Sequence, residues 1–188
     1  MRMNLIILPS PYLIDDLEFP NLGVLYLSAV LKQNNYDISV IDLHGYIDNW
    51  KEELDKYVNT DESDIWGISC VTPEFPIAVQ ILKELKSIIP HSLVTIGGPM
   101  ATCDPKACLS AGFDQVVVGE GERSILKIME GCKDKILKEP LIKNLDELPF
   151  PDRDAIDIYK YFYEIDGKRS TSIVTSRGCY WSKCRFCC

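Results

Sequence analysis

Hydrophobic residues along the chain fall into two kinds of block. Short apolar runs, the pattern of strands buried on both faces, stand at 4–8, 37–41, 65–69, 93–96 and 115–118. Between them, apolar residues recur at helical spacing. Leu22, Leu25, Tyr26, Ala29 and Val30 share one face of a helix that starts after Pro20-Asn-Leu-Gly23 and stops near Asn34-Asn35. The strongest helical signal is Phe75, Ala78, Val79, Leu82, Leu85 and Ile89, opened by Thr72-Pro-Glu and ended by Pro90. Weaker helices are expected at 48–58, 105–110 and 123–130.

Strands joined by helical crossovers predict an α/β domain with a mostly parallel sheet. Five strands within residues 1–131 favour a doubly wound, flavodoxin-like (Rossmann-like) order, 2-1-3-4-5. Such sheets bind ligands beyond the carboxyl ends of their strands, where strand order reverses. That edge carries Pro9 to Pro11, Cys70-Val-Thr-Pro73, Gly97-Gly-Pro99 and Gly119-Glu-Gly121. One glycine loop alone reads as a tight turn. Two on adjacent strand ends make a ligand cleft an equal alternative, because glycine lets backbone approach a ligand. Neither matches G-x-G-x-x-G or a P-loop, which disfavours nicotinamide and nucleoside triphosphates.

From residue 132 to about 170 the pattern dissolves into a connector punctuated by Pro140, Pro149 and Pro151, with an aromatic patch at 159–163 packed onto one domain. A new strand is expected at 172–175. The 188 residues, 46% of them hydrophobic, suffice for one core and the beginning of a second unit. A formal charge of −8 without any Lys/Arg cluster argues against nucleic-acid partners. No segment has the length of a signal-peptide core or a membrane span, so a cytoplasmic protein without a membrane partner is expected.

Eight cysteines in a chain with a patterned core read as reduced thiols. Cys70, Cys103, Cys108 and Cys132 are scattered and suit small buried hydrophobes. His44, in Asp42-Leu-His-Gly45, has no second ligand nearby and reads as a surface residue, as does His91. Cys179, Cys184 and Cys187 differ, because three thiols within nine residues form a C-x₄-C-x₂-C triplet able to hold an iron–sulfur cluster or part of a zinc site. A zinc knuckle would need Cys188 as fourth ligand, and adjacent Cys187 and Cys188 strain a tetrahedral site. A cubane held by three cysteines leaves one iron open for substrate.

With these residues in view, the chain resembles the cobalamin-dependent radical S-adenosylmethionine enzymes, specifically their N-terminal cobalamin-binding portion. The resemblance runs through Leu22-Gly-Val-Leu-Tyr-Leu-Ser-Ala-Val-Leu31, Val40-Ile-Asp-Leu43, Gly67-Ile-Ser-Cys70 and Ile96-Gly-Gly-Pro99. It continues through Val117-Val-Gly-Glu-Gly-Glu122, Asp146-Glu-Leu-Pro-Phe-Pro151 and Thr175-Ser-Arg-Gly-Cys179. It implies a corrinoid whose nucleotide tail enters the sheet's cleft, lined by Ser69, Thr72, Gly97, Gly98, Pro99, Gly119, Glu120 and Gly121, with Leu22 and Gly23 near the corrin. Asp42-Leu-His-Gly45 follows the second strand and lacks the glycine of a D-x-H-x-x-G motif, so histidine ligation of cobalt is not implied.

The resemblance further implies a [4Fe-4S] cluster on Cys179, Cys184 and Cys187, with Phe186 as the aromatic residue before the last ligand. Such a cluster binds S-adenosylmethionine and, given one electron from a flavodoxin or ferredoxin, yields a 5′-deoxyadenosyl radical for methyl transfer or related C–H chemistry on a substrate the sequence does not name. Two departures stand. The family spacing is C-x₃-C-x₂-C, one residue shorter in the first gap, and residues 171–188 supply only the first strand and cluster loop of a (β/α) barrel. The chain alone is therefore not expected to turn over. The alternative is a non-enzymatic flavodoxin-like interaction domain with a zinc-binding cysteine tail.

Overall fold

The N-terminal apolar run forms β1 (Arg2–Ile7), which the topology places inside the sheet, paired in parallel with β2 (Asp37–Asp42) on one side and β3 (Ile65–Ser69) on the other. The computed structural model describes residues 2–13, 17–58, 65–181 and 183–185. Beyond β3 come β4 (Leu93–Gly97), β5 (Gln115–Val118) and β6 (Ile136–Lys138), giving a parallel six-stranded sheet of order β2-β1-β3-β4-β5-β6. The five expected strands are present in the flavodoxin-like order. The sixth lies in the stretch that reads as a connector; with three residues, of which only Leu137 is buried, it has no periodicity to detect.

Helices cover both faces. α1 (Leu22–Gln33) and α6 (Glu122–Met129) pack on one, where Met3, Leu5, Ile7, Val117 and Ile125 meet Val24 and Leu31. The other face, built on Ile6, Trp66, Ile68, Ile96 and Val116, takes α2 (Trp50–Asp55), α3 (Phe75–Ile88), α4 (Pro99–Cys103) and α5 (Pro105–Ala111). α2 is shorter than the expected 48–58, since its buried apolar face is only Trp50 and Leu54. α4 is new to the structure: Gly-Gly-Pro reads as a turn, yet Pro99 fits a helix's first position, where its missing N–H costs nothing. No helix among the described residues is long and apolar enough to cross a membrane.

After β6 the chain returns over α1. Asp152 anchors it: its N–H donates to Leu25 O (3.0 Å), while its carboxylate accepts from the buried Ser28 hydroxyl (2.6 Å) and pairs with Lys32 (2.7 Å). A two-stranded hairpin follows, β7 (Glu164–Ile165) and β8 (Lys168–Arg169), turning through Asp166 and Gly167 at positive φ, the Asp-Gly pattern that favours a tight hairpin. Residues 172–175, expected as a strand, are not one. Among the described residues no neighbouring strand pairs with them, and Ser172 O instead accepts from Arg153 Nη2 (2.7 Å).

Of the four scattered cysteines, Cys70 and Cys108 are buried and Cys132 is half-buried, whereas Cys103, the last residue of α4, is exposed rather than in the core. Burial, reinforced by the Glu74 carboxylate, pushes the Cys70 thiol from its ordinary value near 9 up to about 12.

Asp152→Ala leaves the Ser28 hydroxyl buried without its acceptor and is expected to lower unfolding free energy by about 1–3 kcal/mol, read from the midpoint of a urea titration. For Cys70 the folded value lies above the unfolded one. Its contribution to stability is therefore complete below the ordinary thiol value near 9 and is lost as pH rises from there toward about 12. Alkylation of the native protein should label Cys103 and spare Cys70 until denaturant is added.

Candidate functional site

The sheet face beneath α1 and α6 carries large side chains low on the strands and small ones at the carboxyl ends. Because side chains alternate, the residues on that face run Ile65, Gly67, Ser69 along β3 and Leu93, Thr95, Gly97 along β4, in direct register. The missing bulk leaves a cavity of about 350 Å³ between the sheet, α1 and α6. Leu5, Val24, Leu27, Val117, Ile125 and Ile128 supply apolar walls.

Of the positions named from the sequence, Leu22, Gly23, Ser69, Gly97, Gly98, Gly119, Glu120 and Gly121 line this cavity. Thr72 and Pro99 do not: Thr72 is exposed in the 3₁₀ turn before α3, and Pro99 is exposed at the start of α4. Two of these glycines hold a backbone conformation that strains any other residue. At Gly98 φ is +91° and an added Cβ would stand 2.9 Å from Cys70 O, in a corner where Cys70 N donates to Gly97 O and Met100 N donates to Cys70 O. At Gly119 φ is +85°, with its N–H held by Thr102 Oγ1 at 2.9 Å.

The rim also includes residues that the sequence patterns do not single out, Arg177 and Val174 among them. Arg177 Nη2 donates to Glu122 Oε1 (2.6 Å) and Nη1 to Glu120 Oε1 (3.3 Å), and the guanidinium lies 5.4 Å from the centre of the Tyr26 ring. Burial works against its charge, but the hydrogen-bonded carboxylates of Glu122 and Glu120 outweigh that and hold it above its ordinary value. Glu120 also accepts the Ile142 N–H at 2.6 Å. Arg177 lies outside any periodic segment, and the Thr175-Ser-Arg-Gly-Cys179 motif that contains it carries no sign of its carboxylate partners. The alternating small residues Gly67, Ser69 and Thr95, Gly97 were the available signal for the cavity.

At the end of β2 the structure departs from the expected surface histidine. His44 is only 8% exposed, because the connector's aromatic patch closes over it. Its Nδ1 lies 3.0 Å from the Tyr161 hydroxyl, which donates to Asp42 Oδ2 (2.8 Å), and Lys160 pairs with the same carboxylate (2.8 Å). His91 is exposed as expected.

Cys179 is exposed and Cys184 half-buried; Cys187 and Phe186 lie outside the described residues. Among the described residues no group of three His, Cys, Asp or Glu side chains is arranged to hold a metal ion.

Comparison with known proteins matches a family model described as the B12 binding domain over residues 16–128. An uncharacterized methyltransferase, PH0819, of Pyrococcus horikoshii is 30% identical over 190 residues, covering 89% of this chain and 40% of that protein. The anaerobic magnesium-protoporphyrin IX monomethyl ester cyclase of Cereibacter sphaeroides is 27% identical, covering 90% of this chain and 31% of its own length. The chain thus spans less than half of these relatives. Among solved structures, the cobalamin-dependent S-adenosylmethionine radical enzyme OxsB, with aqua-cobalamin and S-adenosylmethionine bound, shares the fold. Its TM-score is 0.77 at 21% identity, over 99% of this chain and 28% of that one. The family match begins ahead of α1, takes in the cavity's walls apart from Leu5 and runs almost to the end of α6, more than half of the whole, and the chain belongs to the B12 binding domain family.

Proposed function

We propose that residues 1–131 hold a cobalamin by its nucleotide tail, that 132–170 connect, and that 171–188 begin a radical S-adenosylmethionine domain with a [4Fe-4S] cluster on Cys179, Cys184 and Cys187. The observation that carries the reading is the glycine-rimmed apolar slot at the carboxyl edge of the sheet. Its volume, about 350 Å³, suits a nucleotide base and ribose rather than a corrin macrocycle, so the ring would rest against the rim at Leu22 and Gly23. Gly97, Gly98 and Gly119 let the backbone come close to the tail, with Ser69 and Gly121 beside them. The hydrocarbon walls exclude water. No histidine lines the slot, and His44 is engaged with Tyr161, so these residues offer cobalt no imidazole.

When bound, the corrinoid supplies a cobalt centre that carries a methyl group, and the cluster with S-adenosylmethionine supplies a 5′-deoxyadenosyl radical. Arg177, two residues before Cys179, ties the cysteine segment to Glu120 and Glu122 at the rim and so keeps the two cofactor sites adjacent. A methyltransferase and a cyclase both stand among the relatives, so methyl transfer and related C–H chemistry fit alike. Radical chemistry of this kind also calls for a substrate and for a flavodoxin- or ferredoxin-type electron donor.

Anaerobic protein mixed with hydroxocobalamin is expected to retain corrinoid absorbance after desalting; a colourless protein overturns the binding claim. Gly97→Leu, whose backbone is compatible with a side chain and whose Cβ would sit 3.6 Å from Val117, fills the slot and should weaken retention by roughly tenfold or more while the fold survives. Reconstitution with iron and sulfide should give a cubane spectrum that disappears when Cys179, Cys184 and Cys187 are all changed to Ala. Zinc without iron in metal analysis would favour an interaction domain instead.

A further inference from the structure

The cavity's chemistry changes with depth. At the rim the charged side chains are already engaged, Arg177 with Glu122 and Glu120, and Glu120 with Ile142 N–H. Deeper in, Leu5, Val24, Val117, Ile125 and Ile128 present hydrocarbon only, each at most 7% exposed. Thr95 is the polar side chain at that depth, and its hydroxyl donates to Gln115 O at 3.2 Å. The backbone is committed as well. β3 is paired on both sides, to β1 and β4, and β4 to β3 and β5, so the amides and carbonyls beneath the slot serve the parallel ladder.

We infer that the slot selects among corrinoids by the lower base of their nucleotide tail, accepting a 5,6-dimethylbenzimidazole base and disfavouring a purine base. This rests on the corrinoid reading above. The base is the tail's end and therefore the part that reaches the hydrocarbon depth of the slot. The far edge of dimethylbenzimidazole carries two methyl groups, which match the Leu, Val and Ile side chains there. The corresponding edge of adenine carries an exocyclic amine and ring nitrogens. These must shed water on entry, and among the described residues the deep lining returns no free donor to the ring nitrogens, since the Thr95 hydroxyl gives its hydrogen to Gln115 O and keeps only its oxygen as an acceptor, which is the costly case for a buried polar group. An apolar site facing an added polar group discriminates by roughly 10- to 100-fold, and that is the selectivity expected.

The experiment titrates the full chain anaerobically with three probes: aquacobalamin, its analogue with adenine in place of dimethylbenzimidazole, and cobinamide, which has no nucleotide. Dissociation constants are read from the corrinoid spectrum and from retention on desalting. The expected order is aquacobalamin tightest, with the adenine analogue roughly 10- to 100-fold weaker and cobinamide weaker than aquacobalamin. Equal affinity for the two complete corrinoids, both above cobinamide, overturns base selection and leaves corrinoid binding standing. Equal affinity for aquacobalamin and cobinamide shows that the tail does not use the slot and also overturns the inference. Failure of all three to bind overturns the corrinoid reading and the inference with it.

Discussion

Empty space on one face of a rigid sheet is the constraint on which the rest of the structure depends. Apolar cavities are destabilising because their lining atoms lose contacts on one side. This one persists because its floor, β3 and β4, is fixed by ladders to β1 and β5 and cannot sag to fill the gap. Its walls stay apart because α1 and α6 are pinned lower down by Leu31, Ile128 and Met129. A group that enters restores the missing contacts, so the slot's cost to the folded chain is also the source of its affinity.

Carboxylates organise what lies over that space. Glu120 gathers Ile142 N–H and Arg177, Asp152 gathers Leu25, Ser28 and Lys32, and Asp42 gathers Lys160 and Tyr161. Each brings a residue of the later chain onto the sheet domain through hydrogen bonds strengthened by charge. Hydrophobic burial sets the position of α1 and α6. These directional contacts set the path of the chain above them, including the segment that ends in Cys179.

Much of this was legible in the sequence, for reasons that differ by element. The apolar runs of β1, β3, β4 and β5 and the face of α3 announced themselves, since burial on both sides or on one stripe leaves periodicity behind. The glycine loops gave most of the slot's rim, because close backbone approach leaves a glycine wherever it happens. β6 and the β7–β8 hairpin were missed for lack of length. Residues 172–175 have the composition of a strand, but a strand exists only where a partner does. His44 and Arg177 were misread or overlooked for a common reason: what defines each is a contact with a residue far along the chain, His44 with Tyr161 and Arg177 with Glu120 and Glu122, and no local pattern records it.

The cluster at the end of β2 bears on where this unit can be cut. By sheet topology the domain closes with β6, and a knife placed after Lys138 looks safe. Such an excision would strip Lys160 and Tyr161 from Asp42, whose side chain is only 7% exposed, leaving that carboxylate the His44 N–H, and would remove Asp152 from the buried Ser28 hydroxyl. The portable module is therefore longer than its sheet: its physical border falls beyond Tyr161, between a 3₁₀ turn and the β7–β8 hairpin, well past the last strand of the sheet.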